Sequence, residues 1–532
     1  MMRPAGIDWS FPHASKRAPV LARNVVATSQ PLAASAGIEA LGNGGNAVDA
    51  ALATAIALTV VEPCNNGVGS DAFAIVWDGD RLVGLNASGR SPAAWTLGRF
   101  AHHGVMPQRG WDTVTVPGAV SAWVALSRRF GALPFPELFG AAIRYARHGF
   151  HVGHETAAIW ARAADSFSDF PAFLEHFLPD GRAPAAGEVF VNPDLADTLD
   201  SIAQTDGESF YRGELADRME STARVEGGAL RRSDLAAHRP DWVEPLVQPY
   251  RGVALAEIPP NGQGLAAQIA LAILGHLDAH RDAPGSARWT HLQIEAMKIA
   301  IRAAFDHFAD ADAMRLTPEA LLEAESIAAA AAGIAERAAP LPPVALPVSQ
   351  DTVYLTAADA KGMMVSMIQS NYMGFGSGIV VPGTGIALQN RGAGFVLDPT
   401  HPNVVGPNKR PYHTIIPGFV TRNGSPAMSF GVMGGHMQHQ GHVQMVTRIF
   451  EHGENPQAAS DAPRWHVTPQ FTVALEEGYP ADVAQDLTAR GHTVEVVRDH
   501  RLFGGAQLIY CLPDGGYCGA SDHRKEGAAV GF

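Results

Sequence analysis

The sequence predicts an α+β protein whose two parts differ in texture. Three observations carry that prediction. Helix- and strand-type segments alternate in the first third, and apolar-periodic helical segments fill the middle. At Asp351 the chain switches to short β-type runs separated by glycine-rich loops.

Taken in order, Pro31 to Leu41 has the composition of a helix, and Gly42-Asn43-Gly44-Gly45 then supplies residues that tolerate the left-handed conformation closing a helix. Asn46 stands where an N-cap belongs, ahead of the alanine- and leucine-rich run from Ala47 to Val61. Glu62-Pro63 stops that helix, because proline lacks an amide hydrogen and clashes with the preceding turn. Phe73 to Trp77 and Arg81 to Leu85 are strand-type runs joined by Asp78-Gly79-Asp80. Gly118 to Phe130, Phe135 to His148, Gly264 to Leu277 and His291 to Phe308 repeat apolar residues every three or four positions, the spacing of one helix face. Leu316 to Ala339 is alanine-rich and amphipathic and reads as one more helix. Pro340, Pro342, Pro343 and Pro347 follow in a stretch that cannot be helical and is expected on the surface. Thr352 to Thr356 and Met363 to Ile368 are strand-type, with the turn Asp359-Ala360-Lys361-Gly362 between them. The composition break near residue 350 is the one boundary that composition marks.

A chain of 532 residues can bury a large core. Its formal net charge of -14 excludes a phosphate-backbone partner, which needs a basic surface. Cys64, Cys511 and Cys518 are too few for a disulfide framework. The N-terminus lacks a signal-peptide-like apolar run, and the longest apolar stretch, Ala47 to Val61, carries Asp49 and is short for a bilayer. A cytoplasmic protein without membrane contact is the expectation.

Several peptides occur in a fixed order along the chain. They are LGNGGNAVDAALA (41–53), VPGAV (116–120), Asp351-Thr352, VSMIQSNYMGFGSG (365–378), PGTGIALQNRG (382–392), PNKRP (407–411), GVMGGHMQ (431–438) and GASDHRKEGAAVGF (519–532). Together they resemble the γ-glutamyltransferase family of N-terminal nucleophile hydrolases. The resemblance implies a four-layer αββα sandwich and a precursor that cuts itself between Asp351 and Thr352. It makes Thr352 the nucleophile, Ser370 a second hydroxyl beside it, and Gly434 and Gly435 the oxyanion hole. It requires no cofactor. The partners it implies are a small-molecule amide and the two subunits of one precursor, 1–351 and 352–532, with a homodimer of such heterodimers compatible with it.

The proposed nucleophile makes chemical sense without the family. A threonine hydroxyl attacks poorly until a base takes its proton. Cleavage before Thr352 would release an α-amine of reference pKa about 7.7–8, which places base and nucleophile on one residue.

The pocket departs from the family's transpeptidases. Where these hold the α-amine of a γ-glutamyl group, this sequence has Arg391, Ala393 and Gly394, with no carboxylate. Ser88 falls at the usual arginine for the α-carboxylate, with Arg90 nearby. His413 and Thr414 replace tandem serines, and Tyr372 replaces an asparagine. Arg391, Arg90 or His413 could pair with a carboxylate, whereas an ammonium ion would find no counter-charge. The expected activity is cleavage or acyl transfer on a γ-glutamyl or related carboxylate-bearing amide through an acyl-Thr352 ester. The pocket points to the alternative of an acyl group with a carboxylate but no α-amine, as in oxamate amidohydrolases and glutaryl acylases, and an unprocessed non-catalytic member is the second alternative.

His436, His439 and His442 have metal-like spacing but no carboxylate or cysteine beside them in sequence, so no metal is expected there. Asn43-Gly44-Gly45-Asn46 lacks the lysine of a phosphate loop.

Overall fold

The structure, a computed structural model, describes residues 16–345 and 352–532. Asp351 lies outside the described residues.

Local signals shape the first helices as read. Gln30 caps Pro31–Gly42 through its side-chain oxygen. Asn46 caps Ala47–Val61, and the Asp49 carboxylate returns a bond to the Asn46 amide at 2.9 Å, completing a capping box. Every residue of this second helix is buried, Asp49 included. The Asp49 carboxylate also accepts the Ala132 and Leu133 amides at 2.9 and 3.2 Å, which offsets part of its desolvation. Two expected helices come out divided. The 135–148 segment opens as a 3-10 turn over Phe135–Phe139, which contains Pro136, and continues as Gly140–His148. The expected Leu316 to Ala339 helix is instead two short ones, Pro318–Leu321 and Ala324–Ala332. Thr317 caps the first and Glu323 the second, so each side chain restarts the helix it precedes.

Two seven-stranded sheets form the centre, antiparallel throughout. The first runs Ala528–Gly531, Val25–Thr28, Val353–Ala358, Met364–Ser370, Asp71–Trp77, Leu82–Asn86, Asp241–Val243. The second runs Val20–Ala22, Tyr517–Ser521, Gly505–Cys511, Ser425–Met433, Gly418–Arg422, Val253–Glu257, Leu246–Tyr250. Strand alternation assigns the faces. Val353, Leu355, Ala357, Ala72, Ala74 and Val76 pack against the Pro31–Gly42 and Ala47–Val61 helices. Their alternates Tyr354, Ala358, Phe73, Ile75 and Trp77 meet Ala256, Phe419, Met433 and Ile509 of the other sheet. The far face of the second sheet, with Met428, Phe430 and Val432, is covered by Gly264–Gly275, Ala287–His307 and Gln438–Val446. The result is the αββα sandwich. Because both faces are covered, a strand such as Asp71–Trp77 is buried at every position.

Residues from both sides of position 352 build both sheets. Val353–Ala358 lies between Val25–Thr28 and Met364–Ser370, so the composition break runs through the middle of a hydrogen-bonded ladder.

Candidate active site

The hairpin register pairs Val353 with Gln369, so the residue ahead of the first strand meets the end of the second. Thr352 Oγ1 donates to Ser370 Oγ at 3.1 Å, which closes the eighteen-residue separation expected from sequence. Thr352 itself is 1% exposed. Ser370 Oγ also accepts the Tyr372 amide at 2.8 Å. Tyr372 adopts φ +82°, which costs a bulky residue about 1–3 kcal/mol and persists only where surrounding contacts enforce it.

Across the sandwich, Tyr354 lies over Gly431, where a Cβ would come within 2.3 Å of its ring. Thr356 Oγ1 shares a hydrogen bond with Ser429 Oγ at 2.6 Å. The two strands thus face each other in opposite directions, and by extension Thr352 reaches the level of Met433, just before Gly434. Gly434 (φ +119°) and Gly435 (φ +57°) turn the chain from this strand into the helix beyond. A side chain at 434 is excluded twice over, by its φ and by Gly504 Cα, 3.0 Å from the Cβ position.

Gln263 ties this turn to the pocket wall. Its amide donates to Gly435 O at 2.9 Å and to Thr414 O at 2.5 Å, while its oxygen accepts from Tyr412 OH at 2.9 Å. Arg391 Nη1 donates to Thr414 Oγ1 at 2.8 Å, and its guanidinium lies over the Tyr372 ring, 4.7 Å from the centroid. Arg391 is 1% exposed, yet its Nε and Nη2 have no hydrogen-bond partner among the described residues. Burial lowers its pKa to about 10, with Asp71 and Tyr372 opposing that shift, so it remains a cation at neutral pH. Two N–H groups on one edge of a buried guanidinium form a fork that matches a carboxylate.

The Asp71 carboxylate, which interacts with Arg391, is already engaged by other groups. Its Oδ1 accepts the Gly89 and Gly118 amides at 3.2 and 3.1 Å, and its Oδ2 is 3.1 Å from His413 Nε2. Burial pushes this carboxyl up to about 7, against the pull of Arg391. At Gly394, a Cβ would fall 2.7 Å from Tyr412 O, so the backbone leaves no room for an acidic side chain.

Thr352, Ser370, Tyr372, Arg391 and Thr414 therefore form one chain of contacts, with Gly434 and Gly435 joined through Gln263. Two residues read as carboxylate ligands lie outside it. His413 is fully buried; its Nδ1 faces the Ile415 amide at 3.4 Å, which directs the Nε2 proton to Asp71. Burial and the nearby arginines hold this ring well below the usual histidine range, so it is a neutral packing group. Arg90 points elsewhere, pairing with Asp310 at 2.7 Å and with Asn408 O at 3.1 Å. Sequence reasoning missed Gln263, Tyr412 and Asp71; the one signal for Asp71 was a charge heading an otherwise apolar strand. His442, from the histidine triplet, bonds Glu257 at 2.6 Å, a carboxylate remote in sequence.

The γ-glutamyltranspeptidase family model matches residues 33–532. The chain is 35% identical to the glutathione hydrolase-like YwrD proenzyme of Bacillus subtilis, covering 96% of this chain and 98% of that protein. It is 36% identical to the oxamate amidohydrolase proenzyme of Klebsiella pneumoniae, covering 94% and 97%. A solved structure, the cephalosporin acylase of Bacillus halodurans, superposes with a TM-score of 0.95 at 47% identity over 99% of each chain. With its two-sheet core and hairpin hydroxyl pair, the chain belongs to the γ-glutamyltranspeptidase family of N-terminal nucleophile hydrolases, and it is an enzyme of that family.

Proposed function

We propose that the chain cuts itself before Thr352 and then hydrolyses, or transfers, the acyl group of an amide that bears a second carboxylate and no α-amine. The observation that carries this reading is the buried fork of Arg391, whose Nε and Nη2 have no partner among the described residues, in a pocket where Gly394 has no room for an acidic side chain and Asp71 is bonded to the Gly89 and Gly118 amides and His413. A carboxylate there satisfies both N–H groups and neutralises the cation. A γ-glutamyl group would bring its ammonium into the same space uncompensated.

In self-cleavage, Thr352 Oγ1 attacks the carbonyl of residue 351, the peptide bond shifts to an ester, and water opens that ester to leave a free α-amine on Thr352. In turnover, this amine accepts the hydroxyl proton as Oγ1 adds to the substrate carbonyl, then passes it to the departing amine. Backbone N–H groups at Gly434 and Gly435 stabilise the developing oxyanion, by about 3–4 kcal/mol per donor. Ser370 holds Oγ1 in position. Water, or an acceptor amine, then releases the acyl group from its Thr352 ester.

The names of the relatives, an oxamate amidohydrolase and acylases beside glutathione hydrolases, are consistent with a carboxylated acyl group. The test compares release of p-nitroaniline from glutaryl- and γ-glutamyl-p-nitroanilide by the purified enzyme. The reading expects the glutaryl compound to be turned over faster. Preference for the γ-glutamyl compound would restore glutathione hydrolysis as the activity, and a single uncut, inactive chain would make the protein a non-catalytic member.

A further inference from the structure

On the far side of the second sheet, three side chains converge with no part in the chemistry above. His291 and Glu295 stand one turn apart on the Ala287–His307 helix, and His492 follows the Ala481–Ala489 helix. They are 0%, 3% and 5% exposed. One ligand atom from each lies within 4.8 Å of the others, and this is the one such group found among the described residues.

Their protons can be assigned from their partners. His291 Nε2 is 2.8 Å from Ala335 O, and a carbonyl only accepts, so the proton is on Nε2 and Nδ1 carries a lone pair. His291 Nδ1 lies 2.8 Å from His492 Nε2, which must therefore be the donor. His492 Nδ1 is then also a lone pair. It is buried without a hydrogen-bond partner and faces Glu295 Oε1 at 3.9 Å. The His492 lone pair thus faces a carboxylate whose Oε2 accepts the Ala339 amide at 2.9 Å, and a cation placed between ring and carboxylate engages both. The backbone-anchored imidazole of His291 is the arrangement that fixes metal-binding histidines.

We propose that His291, Glu295 and His492 bind one Zn2+. Two neutral imidazoles and a carboxylate are the donor types zinc prefers, at bond lengths of about 2.0–2.2 Å. A small rotation of the His492 ring exchanges its hydrogen bond to His291 for a shared ion; both rings stay neutral and no proton is released. Lys298 is the resident competitor, since its ammonium pairs with Glu295 Oε1 at 2.7 Å. It also lies 3.5 Å from Ala339 O, an acceptor that can hold it once the carboxylate turns to the metal. The site would bind residues 291 and 295 to residue 492, across position 352.

Tag-free, metal-depleted enzyme titrated calorimetrically with ZnCl2 tests the site. The expected result is one Zn2+ per chain and a higher melting temperature. His492→Gln and Glu295→Gln each weaken binding by about tenfold or more, and Lys298→Met tightens it by removing the competing charge. Absence of stoichiometric binding, or unchanged affinity in His492→Gln, overturns the proposal. Should the variants fail to fold, a zinc anomalous-scattering peak in crystals of the wild-type enzyme decides: a peak beside His492 supports the site, and a peak elsewhere or none refutes it.

Discussion

Replacing Arg391 with methionine removes the guanidinium while keeping most of the side-chain volume. Its Nε and Nη2 have no hydrogen-bond partner among the described residues, and a hydrogen bond to a charged group contributes about 1.5–3 kcal/mol. Two of them give about 3–6 kcal/mol, of which desolvating the substrate carboxylate consumes part. About 3 kcal/mol remains, equivalent to about a hundredfold in kcat/KM. The assay is hydrolysis of glutaryl-p-nitroanilide beside butyryl-p-nitroanilide, which lacks the second carboxylate. Arg391→Met should lose about a hundredfold on the first and change the second by no more than about threefold. The variant should still cut itself. It should melt no lower than the parent, because the buried cation is costly until substrate arrives. Equal losses on both substrates would refute the carboxylate fork and leave Arg391 a structural residue.

Thr352→Ala should remain one intact, inactive chain on denaturing gels, while Thr352→Ser should still cleave; intact-mass measurement and N-terminal sequencing check both. Ser370→Ala removes the acceptor of the Thr352 hydroxyl and the partner of the Tyr372 amide. It should slow both self-cleavage and turnover by roughly 10–100-fold, read from the kinetics of each, as positioning groups do. The acid limb of kcat/KM should follow the Thr352 amine. Below its pKa, whose reference value for an α-amine is about 7.7–8, the amine holds a proton and cannot accept another, so rate falls as pH drops through that pKa. An activity flat down to pH 5 would point to another base. Gly394→Ala sets a methyl 2.7 Å from Tyr412 O and should destabilise by about 1–3 kcal/mol, visible as a lower denaturant midpoint.

Where structure depends on neighbours in sequence, it was legible. Asn46 announces a helix start, and the 359–362 turn fixes the register that joins Thr352 to Ser370. Elements held by distant partners were not. Gln438–Val446 reads as a polar, glycine-containing loop, yet it is a helix buried at every residue. Gln440 and Gln444 reach Val467 O and Trp465 O, and His442 reaches Glu257, so these three side chains are held by partners no local pattern reveals. The partner of His413 was hidden for the same reason, since Asp71 lies 342 positions earlier in the chain. The Thr352–Ser370 pair and the Arg391 position came from ordered motifs; the open fork on Arg391 and the blocked space at Gly394 needed coordinates.

The ladder that sets Val353–Ala358 between Val25–Thr28 and Met364–Ser370 has a kinetic consequence. A continuous chain assembles it in a first-order process, with both flanks tethered to the central strand. Once severed ahead of Thr352, the same ladder could re-form only when two separate molecules meet, so recovery from denaturation would slow with dilution. Nicked protein would persist because it unfolds slowly, and the precursor would be the only form able to fold efficiently at low concentration.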